Sequence, residues 1–198
     1  SDEPLLAQEA SDVIRSACRQ ADYSERQVFH VERGFDWNII REANASLSLF
    51  AEKRLLELRI NSGKPGDQGS TVLQEYLARP AEDTILLINV PRLDASTLKT
   101  KWAKALMDSP LCGFVQLPSI TIEQLPSWIN QRLAQQGLSA EPDAIDLIVA
   151  RTEGNLLAAV QEIEKLKLLS NSSHIDLATI QSSIADSARY DVFGLVDA

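Results

Sequence analysis

The sequence predicts an α/β domain built on a mainly parallel sheet, followed by a small all-helical domain. Three observations carry this reading. Helix-period and β-like segments alternate up to Pro118; the β-like run "TILLIN" is wholly apolar, as in a strand covered on both faces; and beyond Pro118 only helical spacing remains. A chain of 198 residues with 44% apolar content can bury the core of one large domain or two small ones.

The first helix is predicted from Leu6, Ala10, Val13, Ala17 and Ala21, with Ser1 or Asp2 able to cap it and Pro4 suited to its first turn. "RQVFHV" (26–31) is β-like, and "FDWNIIREANA" (35–45) is helical with Asp36 as its cap. "KRLLELRI" (53–60) is β-like, with Leu56, Leu58 and Ile60 on one face and Leu55 on the other. The loop "NSGKPGDQGS" leads to a helix through Val72, Leu73, Tyr76 and Leu77, and then to the strand 84–89. A helix from Asp94 to about Asp108 carries Leu98, Trp102, Ala105 and Leu106, and "GFVQLP" (113–118) is predicted as a further strand. The helical part has stripes at Leu125, Trp128, Ile129 and Leu133, then Ile145, Leu147 and Ile148, then Leu156, Val160, Ile163, Leu166 and Leu169. "HIDLATIQSSIADSA" adds a further helical segment, and "RYDVFGLVDA" begins an amphipathic element too short to pack alone. Gly194 weakens helix propensity there by ~1 kcal/mol relative to Ala.

The charge balance narrows the function. With 19 basic against 28 acidic residues, the formal charge of −9 disfavours unassisted binding to a phosphate backbone, so nucleic acid is not expected as the sole partner. Cys18 and Cys112 form neither a disulfide framework nor a metal knuckle and are expected as buried thiols in a reducing cytoplasm. No apolar run approaches the ~20 residues of a membrane span, so no membrane partner is expected.

Nucleotide chemistry is the first activity to look for in such a layout, and its motif is missing. "GKPGDQGST" lacks a Gly five residues before Gly63, and Lys64 is followed by Pro65 where a phosphate loop needs Ser or Thr. "TILLINVPRLD" ends its strand on Asn89, and Asp94 lies too far along to hold a metal there; it is expected to cap the next helix. His30 and His174 have no Cys or carboxylate at ligand spacing, and Trp37, Trp102 and Trp128 lie on apolar stripes as core residues. The charged residues of "QEIEKLKLL" read as the solvated side of a helix. No catalytic residue, cofactor or metal site is expected.

One segment resists a purely structural reading. "SLSLF" (46–50) places Leu47, Leu49 and Phe50 just ahead of a strand whose core positions are already filled. They could tuck beneath that strand or be held outward for a partner.

"SDEPLLAQEASDVIR", "SLSLFAEKRLLELRI", "ILLINVPRLDASTLKTKWAKAL", "LPSWINQRLAQQGLS" and "EGNLLAAVQEIEKLKLL", in that order, resemble the delta-subunit family of the bacterial DNA polymerase III clamp loader. The resemblance implies a RecA-like AAA+ α/β domain over residues 1–118, with its first strand upstream of Ser1. A helical lid over 119–187 and the start of a collar domain over 188–198 would follow. It implies a member that has lost the nucleotide motifs and has no intrinsic enzymatic activity. Such a subunit of the polymerase (nucleotidyltransferase) holoenzyme binds and opens the sliding clamp ring for loading onto primed DNA during replication. The implied clamp anchors are Leu49 and Phe50, with Ser46, Leu47 and Ser48 shaping the approach. The implied partners are the clamp (beta subunit), the gamma/tau and delta prime loader subunits in the full-length protein, and primed DNA through the assembled complex, in the cytoplasm. The competing expectation is an active AAA+ nucleotide hydrolase with an atypical phosphate loop upstream of residue 1.

Overall fold

A computed structural model describes residues 3–45, 53–170 and 172–182, and the chain divides into two compact units, Ser1–Ser119 and Ile120–Ala198. The first unit runs α1 (Pro4–Gln20), β1 (Tyr23–His30), α2 (Asn38–Ala45), β2 (Lys53–Arg59), α3 (Gly66–Ala78), β3 (Thr84–Asn89), a 3-10 turn (Thr97–Lys99) and α4 (Lys101–Asp108). The strands form a parallel sheet in the order β1-β2-β3, with Val28 opposite Glu57 and Glu57 opposite Leu87.

Side-chain alternation gives the sheet two different faces. Leu58 and Ile60 point to one of them and pack with Trp37, Ile40, Val72, Leu73 and Trp102, which brings α2 and α3 onto that side. Tyr76 adds a buried hydroxyl that donates to the Thr84 carbonyl at 2.9 Å, and burial pushes its pKa up to about 12. The opposite face carries Glu57 and Asn89, and α1 lies against it through Arg15 and Ser11.

Several elements differ from the sequence expectation for identifiable reasons. The N-cap position of α1 is Glu3, whose side chain makes no capping bond, and Pro4 opens the helix; Ser1 and Asp2, the caps expected from the sequence, lie outside the described residues. Its buried positions are Ser11 and Cys18, with Ala17 and Ala21 exposed and Val13 69% exposed. The helix is rotated from the apolar stripe because Ser11 is satisfied in the interior, its hydroxyl donating to Ala7 O and Asn89 Oδ1.

The predicted helix 94–108 is split. Asp94 accepts the Thr97 N–H at 2.6 Å, and Thr100 then turns to an extended ψ of 157° before α4 starts. Residues 113–118 run without a ladder, so the predicted strand is not formed. They are separated from β3 by a groove of about 190 Å³, lined by Ala7, Ala10, Ile14, Trp102 and Leu106 among others, so no strand among the described residues pairs with them.

The second unit contains α5 (Leu125–Gln135), β4 (Ser139–Ala140), α6 (Pro142–Thr152), α7 (Leu156–Leu169), β5 (His174–Ile175) and a helical stretch over residues 177–182. Its core comprises Leu125, Ile129, Leu133, Ala144, Ile148, Leu156, Ala159, Ile163, Leu166, Ile175 and Ile180. The two-residue parallel ladder of β4 and β5 was not expected, being far too short to leave a period-two pattern. Trp128 is only half-buried and carries the Arg132 guanidinium 4.6 Å from its ring centroid, while Leu169 is 50% exposed at the end of α7. A left-handed pair, Glu153 at φ 48° and Gly154 at φ 85°, ends α6 and turns the chain to Asn155, whose side chain caps α7 by accepting the Ala158 N–H.

Close packing of α3 on Trp37 depends on Gly69, where a Cβ would lie 2.3 Å from Trp37 Cζ2 and 2.7 Å from Pro65 Cβ. Gly69→Ala is therefore expected to destabilise the first unit by about 1–3 kcal/mol in urea unfolding followed by tryptophan fluorescence. An unchanged midpoint would contradict this packing.

Candidate functional site

The residues singled out from the sequence, Ser46, Leu47, Ser48, Leu49 and Phe50, lie outside the described residues, as does the 188–198 segment. The structure does describe what flanks them. On the α2 side, Asn44 donates from Nδ2 to the Arg79 carbonyl at 2.9 Å and accepts the Ala81 N–H at 3.0 Å, joining the end of α2 to the turn that precedes β3. On the β2 side, Arg54 donates to the Ala43 carbonyl at 2.6 Å and to Thr84 Oγ1 at 3.1 Å, while Lys53 reaches the Ala21 carbonyl and lies over the Tyr23 ring. The described residues on either side of 46–52 are thus bonded to neighbouring elements of the sheet layer.

The carboxyl ends of the strands are where an open α/β sheet places ligands. Here the turn after β2 is closed by its own groups: Gly63 N–H donates to the Ile60 carbonyl at 2.9 Å, and Ser62 Oγ both accepts the Lys64 N–H and donates to the Lys64 carbonyl. Pro65 occupies the N-cap of α3 and offers no N–H. At the end of β3, Asn89 is engaged inward, accepting from Ser11 and donating to Glu57 Oε1 at 3.3 Å. Asp94 belongs to the following turn, where the Thr97 backbone N–H and the Ser96 hydroxyl hold its carboxyl down to about 2.

The most heavily bonded side chain beneath these strand ends is Glu57, which sequence reading missed. It is fully buried on β2. Arg15 grips it with two bonds of 3.0 and 2.7 Å, Arg26 donates at 2.8 and 3.2 Å, and Arg59 donates at 3.0 Å. Burial alone would raise the Glu57 pKa, but hydrogen bonds from the three guanidiniums outweigh it and hold the carboxyl at about 2. Arg15 in turn is pushed up by its bonds to Glu57 and bonds Asp12 as well. In sequence, Glu57 looks like the polar interruption of "LLEL". The nearby arginines at 15, 26 and 59 are a signal only once the strand register is known.

Among the described residues no group of His, Cys, Asp and Glu could hold a metal ion, and no helix is long and apolar enough to cross a membrane. Cys18 is buried and Cys112 half-buried; both are free thiols that burial pushes up in pKa.

The geometry can now be set beside known proteins. The family model for DNA polymerase III, delta subunit, matches residues 2–110. The chain belongs to the DNA polymerase III delta-subunit family. DNA polymerase III subunit delta of Escherichia coli K12 is 28% identical over 196 residues, covering 99% of this chain, and that of Haemophilus influenzae is 27% identical over 197 residues. The chain spans 57% of the length of each of these relatives. Among solved structures, the DNA clamp loader delta protein of Bacillus subtilis aligns with 92% of this chain and 56% of its own, at a TM-score of 0.65 and 18% identity. The Holliday junction branch migration motor RuvB of Thermotoga maritima aligns with 90% of this chain and 57% of its own, at a TM-score of 0.53 and 12% identity. These likenesses bear out the fold class, an α/β domain on a parallel sheet followed by a helical unit.

Glu57→Gln keeps the shape but removes the charge facing three guanidiniums, and about 3 kcal/mol of stability should be lost at pH 7. Because the folded pKa lies below the unfolded value near 4.5, the ionic contribution is present above about pH 4.5 and lost as pH falls towards 2. Urea unfolding should therefore show the wild-type advantage at pH 7 shrinking by pH 3; an equal gap at both values would contradict the account.

Proposed function

We propose that this chain binds the ring-shaped sliding clamp through residues 46–50 and favours the open ring. Leu49 and Phe50 act as the anchors, and Ser46, Leu47 and Ser48 shape the approach. The observation that carries the reading is the family match over residues 2–110, which includes this segment, together with its similarity in sequence to the clamp-binding segment of that family. The bonds that fix Asn44 and Arg54 support it, because a short apolar stretch whose flanking residues are fixed loses less conformational entropy on docking.

The energetics are adequate for the task. Burial of one Leu and one Phe contributes about 1.5–3 kcal/mol each before association costs. A protein that binds an open ring more tightly than a closed one shifts that equilibrium by its differential affinity, with no chemical step of its own. Residues 1–118 serve as the clamp-binding domain and 119–187 as the lid, while 188–198 begin the collar that joins the gamma/tau and delta prime subunits in the longer protein. Primed DNA is met through that assembly, and the chain hydrolyses no ATP itself.

In a pull-down with the cognate clamp, the chain is retained, and Leu49→Ala combined with Phe50→Ala weakens binding by about 2 kcal/mol or more. Unchanged affinity in the double variant removes these residues from the site. Calorimetric titration with Mg-ATP is expected to give no saturable heat; micromolar binding would favour a nucleotide hydrolase instead.

A further inference from the structure

The outer edge of β1 has a pattern that clamp binding does not use. Val31 N–H bonds to the Arg59 carbonyl, so the odd-numbered residues of this strand turn their backbone groups towards β2. Arg26, Val28 and His30 therefore turn theirs to the opposite edge, and no strand among the described residues pairs there. The same three side chains lie on one face by alternation, and all are exposed: Val28 at 36%, Arg26 and His30 beside it. Arg59, opposite His30, is also open to solvent at 39% of its side chain. In a chain of net charge −9, the guanidiniums of Arg15, Arg26 and Arg59 all bond the fully buried Glu57, and Arg15 also pairs with Asp12.

We propose that the free edge of β1 is a docking strand for an extended segment of a partner protein that carries carboxylates at alternate positions around one apolar residue. Main-chain bonds to residues 26, 28 and 30 supply the pairing, carboxylates meet Arg26 and the Arg59–His30 pair, and the apolar residue covers Val28. A second copy of this chain fits poorly, because edge-to-edge pairing would bring Arg26 and His30 against their own kind. A nucleic-acid backbone is opposed by the overall charge and has no use for the exposed valine between the basic side chains.

The test uses the 198-residue chain and a fluorescein-labelled peptide Thr-Glu-Thr-Val-Thr-Glu-Thr, with a lysine-for-glutamate peptide and a duplex oligonucleotide as the other arms, read by fluorescence anisotropy. Saturable binding of the glutamate peptide is expected, at least about tenfold tighter than the lysine peptide or the duplex, which corresponds to about 1.4 kcal/mol. Val28→Pro removes one edge N–H without touching the β1–β2 ladder, and His30→Glu reverses the charge preference at an exposed position; each should weaken peptide binding about tenfold. His30→Glu keeps the test decisive if circular dichroism shows that the proline variant is misfolded. Absence of saturable peptide binding, undiminished binding by His30→Glu or by a folded Val28→Pro, or preference for the duplex overturns the proposal.

Discussion

Glu57 gathers Arg15 from α1, Arg26 from β1, Arg59 from its own strand and Asn89 from β3 around one fully buried carboxylate. Burying a lone carboxylate would cost several kcal/mol, so the ion is tolerated only because its lone pairs are filled by forked, charge-assisted donors. Arginine suits this better than lysine: a planar fork can hold two oxygens at fixed angles, as Arg15 does at 3.0 and 2.7 Å. The consequence is geometric more than energetic. The helix α1 is tied to the sheet at one height and one rotation, and the apolar stripe that a helical wheel would select gives way to Ser11, Arg15 and Cys18.

With one face so fixed, the other face carries the apolar core, and further bonds fix the residues that flank the segment proposed to meet the clamp. Asn44 and Arg54 bridge α2, the start of β2 and the start of β3 by bonds that involve three carbonyls or hydroxyls of separate elements. The carboxyl ends of β2 and β3 are occupied with internal bonding, Asn89 towards Ser11 and Glu57, and the Ile60–Lys64 turn with itself. A scaffold of this kind has its specificity in what it presents at its margins.

The fold class was legible because it rests on patterns that are local. "TILLIN" and "KRLLELRI" are apolar enough to demand burial, and each is followed by a turn or cap that ends it. What was not legible depends on tertiary context. Glu57 has no sequence signature until the register brings Arg26 and Arg59 alongside and α1 lowers Arg15 onto it. Residues 113–118 have the composition of a strand but no neighbour to complete a ladder, and propensity alone does not make a sheet. Leu169 continues a helical stripe past the point where the core ends, and Val13 is turned outward by the rotation of α1; both are exposed. For the candidate site the position is reversed: its residues are proposed from similarity to a family, while the bonds of the flanking Asn44 and Arg54 have no sequence signature.

Hydrogen exchange of the 198-residue chain, followed by mass spectrometry with and without the cognate clamp, tests the central claim most directly. The account predicts slowed exchange at the amides of residues 46–50 when the clamp is added, to the same extent with or without Mg-ATP. Protection confined to other surfaces, or protection of this segment only when nucleotide is present, would contradict it.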